Sequence, residues 1–372
     1  MKLKRNKSDI NLLLAVIALV LFGVIMVYSS SWPSASMEFG NPHHYIKRHL
    51  IFIGIGMVLL FIGSFINYHF YKPLAILALA GTWLACLLVF TPLGTDQYTF
   101  ARRWIRIGGQ TVMPSDFLKI GIILFLAWYF EKHTAIHSLK KATLPVFALI
   151  FFVVAPVMLQ PDFSTSITIT LVMMILFFIA GMNKHHVIPA IALGITGFFV
   201  LLKMDPERLS RWMIFRDPMS DLYGNGWQLS HSLFAVSSGG VFGAGIGLSR
   251  QKYILSQAHN DFIFAIIAEE LGFIGSLLLI LLYIFLVYRG ARIAWEASDR
   301  FGMFLAYGIT ALIGIQALVN IAVVIGLIPP TGIALPFVSY GGSSVVTFMF
   351  MVGVLLNISK HKNPKYTGGG VE

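Results

Sequence analysis

The sequence predicts an all-α integral membrane protein with about ten transmembrane helices and one large extracytoplasmic loop between the seventh and the eighth. Composition is the first reason. Of 372 residues, 57% are hydrophobic and only 12% charged, where an ordinary soluble domain carries about 25% charged residues. Mean hydropathy is the second, at +0.80; a soluble fold of this length has to face water with polar side chains that are too few here. The third is spacing: apolar runs of about 20 residues, the length that crosses a bilayer, recur along the whole chain. A cytosolic enzyme, a nucleic-acid-binding domain and a disordered chain are all excluded.

The candidate spans lie near 10–30, 48–66, 72–91, 115–131, 144–159, 164–181, 187–203, 262–288, 302–327 and 340–358. Several are short or interrupted by Pro and Gly, which membrane helices tolerate when neighbours satisfy the freed backbone groups. The first follows Lys2, Lys4, Arg5 and Lys7 like a signal peptide, and Ser34-Ala35-Ser36 resembles a cleavage site. Its apolar run exceeds the roughly 7–15 residues of a signal core, so it reads as a retained helix. The whole chain, 1–372, is then one membrane domain. Residues 1–9 form a cytoplasmic N-terminus, 204–261 the large outer loop and 359–372 a cytoplasmic tail. The end from Tyr366, with three consecutive glycines, carries no fold information. Cys86 is the single cysteine; it has no partner for an internal disulfide and reads as a packing thiol.

Lys and Arg number 27 against 16 Asp and Glu, a formal charge of +11. In a membrane protein such an excess speaks of topology and anionic lipid before nucleic acid. With the basic N-terminus in the cytoplasm, an even number of spans returns the C-terminus there. Inner segments then carry Lys72, Lys132, Lys140, Lys141, Lys184, Arg289, Arg292, Arg300 and the lysines after 359, so positive charge favours the inside. The exceptions fall outside: Lys47, Arg48, Arg102, Arg103, Arg106, and in the loop Lys203, Arg208, Arg211, Arg216, Arg250 and Lys252. Long loops escape the positive-inside rule, so these residues are either solvated or a binding surface for a phosphorylated lipid. Composition does not decide between the two.

Ionisable residues inside spans are costly and default to functional candidates. Asp116 and Lys119 are three apart on one helix face and can pair, which makes Lys119 either half of a structural ion pair or a cation aimed at an acidic partner or phosphate. Gln160-Pro161-Asp162 breaks two helices apart, and Asp162 suits the N-cap of the next. In His259-Asn260-Asp261, the last polar position before a long apolar helix is Asp261. It is either a cap or a carboxylate at a cavity mouth, where a raised pKa would suit general-base work. Glu269 lies about two turns further on a neighbouring face and Glu270 about opposite, so both cannot line the cavity Asp261 faces. The loop glycines Gly239, Gly240, Gly243, Gly245 and Gly247 resemble a phosphate loop only superficially, since no βαβ unit surrounds them. Close-packed or re-entrant backbone is the alternative. Trp212, Tyr223, Trp227 and Phe242 suit a loop lying partly in the membrane interface. The adjacent pairs His43-His44 and His185-His186 cannot share one face, and His133 with His137 has no acidic ligand in register, so no metal residue is assigned.

The run Pro329-Pro330-Thr331-Gly332-Ile333-Ala334-Leu335-Pro336-Phe337-Val338-Ser339-Tyr340-Gly341-Gly342-Ser343-Ser344 resembles the signature of the SEDS proteins (shape, elongation, division and sporulation), which include FtsW, RodA and SpoVE. So do Ala258 to Phe264 with Glu269-Glu270-Leu271-Gly272, Arg102-Arg103-Trp104-Ile105, and Gln160-Pro161-Asp162, in family order and over nearly the whole chain. The wording of the last motifs is closer to the FtsW/SpoVE branch. Met113-Pro114-Ser115-Asp116 departs from the family's Gln-Pro-Ser-Glu by shortening the acid, and Phe163-Ser164-Thr165 replaces Leu-Gly-Thr; neither removes a charge.

The resemblance implies a peptidoglycan glycosyltransferase that polymerises lipid II on the outer face of the bacterial cytoplasmic membrane, with both termini in the cytoplasm. It implies Asp261 as the catalytic residue, and Arg102, Arg103, Trp104, Lys119, Asp162 and Ser339 as substrate-binding. Asp116, Gln160, Glu269 and Glu270 are then structural residues of the cavity. Implied partners are lipid II, a class B penicillin-binding protein and other members of a cell-wall synthesis complex, with no nucleic acid. Mg²⁺ or Mn²⁺ could assist the pyrophosphate leaving group, and no organic cofactor is implied. In the implied reaction the 4-OH of GlcNAc attacks C1 of MurNAc carried on polyprenyl pyrophosphate, with Asp261 as base. Outer basic residues would stabilise the leaving group. A lipid II flippase and a non-catalytic scaffold for division or sporulation enzymes are the rival readings.

Overall fold

The computed structural model describes residues 7–95, 102–107, 110–133, 144–181, 206–224 and 226–363. The seventh candidate span, 187–203, lies outside these residues. So do Lys2, Lys4, Arg5, His137, Lys140, Lys141, Lys184, the His185-His186 pair, Lys203, the side chains of Arg208 and Arg211, and the tail from Tyr366.

Eleven helices are described: α1 Ile10–Phe39, α2 His44–Phe65, α3 Ala75–Leu88, α4 Pro114–Lys132, α5 Leu144–Leu159, α6 Phe163–Ile179, α7 Pro206–Arg216, α8 Trp227–Ser238, α9 Ile263–Trp295, α10 Arg300–Val324 and α11 Gly342–Ser359. Among them α1, α2, α9, α10 and α11 are long and apolar enough to cross a membrane, and α3, α6 and the 147–159 part of α5 are shorter apolar helices. Large apolar side chains such as Leu14, Leu21, Ile51, Phe61, Leu278 and Ile284 point away from the bundle. That inversion of the soluble pattern is what a hydrocarbon solvent permits.

The chain is a multi-pass helical membrane protein, with three local differences from the sequence reading. Helix α1 runs on past Pro33 to Phe39 and stops at Gly40 in the left-handed region. Three of its serines pair within the helix, Ser30 donating to the Met26 carbonyl at 2.7 Å, Ser34 to that of Ser31 at 3.0 Å and Ser36 to that of Trp32 at 2.8 Å, which lets polar residues extend it. Residues 94–112 hold a small antiparallel sheet that an all-helical reading did not foresee. Its strands β1 Gly94–Thr95, β2 Trp104–Ile107 and β3 Gln110–Val112 pair in that order, with Gly94 opposite Ile105 and Ile105 opposite Val112. Within the segment expected as a large loop, residues 206–216 and 227–238 are the helices α7 and α8.

Each helix that matters for the site has one end in each of two polar layers. At one layer Asp9 meets Arg289 at 2.5 Å, Lys72 meets Glu131 at 2.8 Å, Glu296 meets Lys362 at 2.7 Å, and Tyr68 hydrogen-bonds Asp299. The opposite ends of α4, α6, α9, α10 and α11 converge with the 329–340 segment. Between the layers, α2 and α11 approach closely. A Cβ at Gly353 would stand 2.3 Å from the Leu60 carbonyl oxygen, and one at Gly63 3.0 Å from that of Phe350. Small residues at such crossings let membrane helices touch backbone to backbone.

Candidate functional site

The site is built on one face of α10. Gln316 and Asn320 are four apart and therefore stacked on the same side. Both are buried, and the amide nitrogen of each reaches a loop carbonyl. The Asn320 amide nitrogen donates to the Asp261 carbonyl at 2.7 Å and to the Ile333 carbonyl at 2.6 Å. The Gln316 amide nitrogen donates to the Ala334 carbonyl at 3.0 Å, while its oxygen accepts from the Lys119 ammonium at 3.3 Å. Sequence reasoning missed these two amides. The available signal was their i, i+4 spacing inside an apolar span, where a polar side chain needs a partner.

Asp261 sits two residues before α9, half-buried, in a loop pinned from both sides. Ser339 is 1% exposed; its hydroxyl donates to the Asn260 carbonyl at 2.6 Å and accepts from the Leu335 N–H at 2.7 Å. The Tyr340 N–H donates to the His259 carbonyl at 2.9 Å. Ser339 was assigned to substrate, but its hydroxyl is spent on the loop backbone, so here it positions Asp261. Behind the loop, His259 packs against Tyr45 at 4.2 Å with the rings tilted by 42°, and meets Tyr340 edge-on at 5.3 Å between ring centroids. Burial and the nearby His49 hold His259 down to about 3, so it stays neutral. Gly332 closes the front: its φ is +72°, and a Cβ there would lie 3.3 Å from the Asp261 carboxylate.

Two charged groups act on that carboxylate. Burial pushes Asp261 up to about 6, Arg103 pulls against this and Asp162 adds to it. Asp162 caps α6 as its position suggests, one oxygen accepting from the Thr165 N–H at 3.1 Å. Its other oxygen is buried without a partner. Arg103 reaches the same turn, donating to the Gln160 and Pro161 carbonyls at 3.3 and 2.6 Å. Gln160 in turn donates to the Cys86 carbonyl at 2.7 Å, and Cys86 is fully buried. Ser164 donates to the Thr331 carbonyl, tying α6 to the 329–340 segment. Arg102 is exposed at the start of the strand that carries Trp104.

Asp116 and Lys119 form the pair that their spacing predicts, at 2.9 Å. Ser343 donates to the second Asp116 oxygen at 2.7 Å. The lysine is therefore engaged by Asp116 and Gln316, beneath the 329–340 segment, as one link in a chain from α11 through α4 to α10.

Glu269 and Glu270 belong elsewhere. Glu269 accepts from the Arg250 N–H at 2.9 Å, the Gln251 N–H at 3.2 Å and the Ser249 hydroxyl. Glu270 accepts from the Ser29 hydroxyl of α1 at 2.7 Å and pairs with the buried Lys252 at 3.4 Å. They anchor residues 249–252, and neither is among the groups acting on Asp261. Just beyond them α9 breaks at Gly272, whose φ is +66° and ψ −163°. The glycine loop packs into that break: the Phe273 N–H donates to the Gly240 carbonyl, and the Ala244 N–H to that of Glu269, both at 2.9 Å. A Cβ at Gly243 would stand 2.2 Å from the Glu270 oxygen. Close backbone approach at Gly239 and Gly243, and positive φ at Gly240, Gly243, Gly245 and Gly247, account for these glycines without a phosphate. Phe242 and Tyr223 are strongly exposed, and the Trp227 indole donates to the Ile254 carbonyl at 3.2 Å.

Comparisons with known proteins match this arrangement. The FtsW/RodA/SpoVE family model, described as cell cycle protein, matches residues 10–364. Stage V sporulation protein E of Bacillus subtilis (strain 168) is 39% identical over 363 residues, covering 97% of this chain and 99% of that protein. The probable peptidoglycan glycosyltransferase FtsW of Trichlorobacter lovleyi is 39% identical over 353 residues, covering 94% and 93%. Among solved structures, one on the structural coordination of polymerization and crosslinking by a peptidoglycan synthase complex matches with a TM-score of 0.78. It is 26% identical and covers 95% of this chain and 97% of that one. The rod shape determining protein RodA of Thermus thermophilus matches at 0.70, with 25% identity over 95% and 96%.

Proposed function

The chain belongs to the FtsW/RodA/SpoVE family, and from that premise we propose that it is a peptidoglycan glycosyltransferase polymerising lipid II on the outer face of the bacterial cytoplasmic membrane. The observation that carries this reading is Asp261: a half-buried carboxylate raised to about 6, held by its own backbone between α10 and the 329–340 segment, with Arg103 and Asp162 beside it. A base poised near neutral pH suits proton abstraction from a sugar hydroxyl. In the proposed step Asp261 takes the proton of the GlcNAc 4-OH as that oxygen bonds to C1 of MurNAc. The bond from C1 to the pyrophosphate oxygen breaks, and the polyprenyl pyrophosphate leaves with the electron pair. A single direct displacement inverts the anomeric centre. Arg102 and the remaining donors of Arg103 are the cations left to meet the leaving group.

Lys119 acts at one remove. Its ammonium is already bound to Asp116 and Gln316, so it supports the segment over Asp261 instead of touching pyrophosphate. Among the described residues no three His, Cys, Asp or Glu side chains form a metal cluster. Mg²⁺ and Mn²⁺ are commonly held by one or two carboxylates plus substrate phosphates, and the unpartnered oxygen of Asp162 fits an ion carried in on the pyrophosphate. Such an ion would neutralise charge on the leaving group. The crosslinking step named for the related synthase complex supports a class B penicillin-binding protein as partner, within a larger cell-wall synthesis complex. The convergence of Lys72, Arg289, Arg292 and Lys362 on one polar layer supports cytoplasmic termini.

The break of α9 at Gly272 is the one observation favouring a second reading, lipid II transport, because transporters build their sites from interrupted helices. Purified lipid II, incubated with the protein and a partner whose transpeptidase site is blocked, separates the two. Glycan strands from wild type and none from a folded Asp261→Asn variant are expected. No strands from wild type with a competent partner would move the reading to transport, to be followed by a leaflet-translocation assay.

A further inference from the structure

At the layer opposite Asp261, a cavity of about 240 Å³ opens between the start of α1, the end of α9 and the segment after α11, lined by Lys7, Ser8, Asp9, Asn11, Arg289 and Lys362 among others. We propose that it binds the phosphate of an anionic phospholipid headgroup. Charge is the first argument. The carboxylate in the lining is Asp9, which pairs with Arg289 at 2.5 Å, while Lys362 is held at 2.7 Å by Glu296, outside the lining. Three lining cations, Lys7, Arg289 and Lys362, thus face one lining acid, and among the described residues Lys7 has no ion-pair partner. The Nε of Arg289 is buried with no hydrogen-bond partner, although the side chain is only 16% exposed. The Ser8 hydroxyl already donates to the Leu356 carbonyl at 3.4 Å, which leaves two lysines, the Arg289 guanidinium and the Asn11 amide around one opening, a set that suits a tetrahedral oxyanion.

Depth is the second argument, and it selects a lipid over a free ion. Tyr288 and Trp295 flank Arg289 on α9 and are both exposed, the placing of aromatics that sit at the headgroup level. Ile10 lines the same cavity, and Leu14, one turn further into the membrane, is also exposed. An apolar strip therefore leads from the cavity along α1, where acyl chains would lie. Clusters of Lys and Arg beside a span attract anionic lipid. The site lies on the opposite layer from the proposed chemistry and does not depend on it.

The test is native mass spectrometry of the purified full chain with phosphatidylglycerol, phosphatidylcholine or inorganic phosphate as probe, comparing wild type with the double variant Lys7→Ala/Lys362→Ala. This change leaves the Asp9–Arg289 clasp intact, and Lys7→Ala alone serves if the double variant fails to fold. Wild type is expected to retain phosphatidylglycerol and shed phosphatidylcholine, with roughly tenfold weaker retention in the double variant. Equal retention of the two lipids, or undiminished phosphatidylglycerol on the variant, would overturn the proposal. Inorganic phosphate displacing phosphatidylglycerol at matched concentration would overturn the lipid assignment in favour of a free-phosphate site.

Discussion

The two hydrogens of the Asn320 amide are both spent within the site, on the carbonyls of Asp261 and Ile333. Removing them strands two buried acceptors at about 1–3 kcal/mol each and frees Asp261 to wander. Asn320→Leu should therefore lower kcat by at least about tenfold while moving KM little, because a misplaced base costs rate more than binding. Steady-state polymerisation kinetics check this, and a variant that raised KM alone would show a binding role instead. Asp261 itself carries a trade-off between rate and stability. Its carboxyl is raised from 3.8 to about 6 by burial, so between about pH 4 and 6 the folded chain holds a proton the unfolded chain has lost. Stability then falls as pH rises through that window. Polymerisation should rise through about pH 6 and level off above it. Asp261→Asn should abolish it yet melt higher than wild type at pH 7 and no higher near pH 4. Melting curves at the two pH values decide the point.

Elements are joined by buried polar links whose loss has a large cost. Cutting Lys119 to alanine leaves Asp116 charged and unpaired among α4, α10 and α11, a defect of about 3–5 kcal/mol for a buried pair. Lys119→Met with Asp116→Asn should recover much of the stability lost by Lys119→Ala, and thermal unfolding in detergent measures both. The break in α9 is equally intolerant. Gly272 has a positive φ, and a Cβ there would meet the Gly243 nitrogen at 2.3 Å, so Gly272→Ala should destabilise by more than about 3 kcal/mol and loosen the outer loop. Faster protease cleavage within 239–252 reports the loosening.

At this same scale the limits of the sequence become physical. Hydropathy marks the helical membrane class and the long apolar helices α1, α2, α9, α10 and α11 because lipid-facing and buried residues are both apolar. It could not see α1 continuing to Phe39, because Ser30, Ser34 and Ser36 bond back to carbonyls of the same helix. The strand Trp104–Ile107 is too short for any period to announce it. Helical geometry did separate Glu269 from Glu270, yet their partners at 249–252 became adjacent only through folding. Gln316 and Asn320 hid for a different reason, since one amide per helical turn barely alters an apolar window.

Across the whole molecule, the polar groups sort into two layers joined by helices that are apolar between them. One layer holds Asp9, Tyr68, Glu131, Arg289, Asp299 and Lys362; the other holds Arg103, Asp162, Asp261 and the 329–340 segment. If the first is cytoplasmic, a cysteine placed at Asn41 should react with an impermeant maleimide in intact cells, and one at Lys362 only after the membrane is opened. Labelling in the reverse order would invert the proposed orientation and with it the outer-face chemistry.

Cys86 makes that experiment unusually direct. Its side chain is fully enclosed and its carbonyl is held by Gln160, so the native chain offers a thiol reagent almost nothing to attack. No cysteine-free background has to be engineered: a probe introduced anywhere on the surface reports alone. Any slow modification of the unaltered protein then becomes a clock for opening of the turn that carries Asp162.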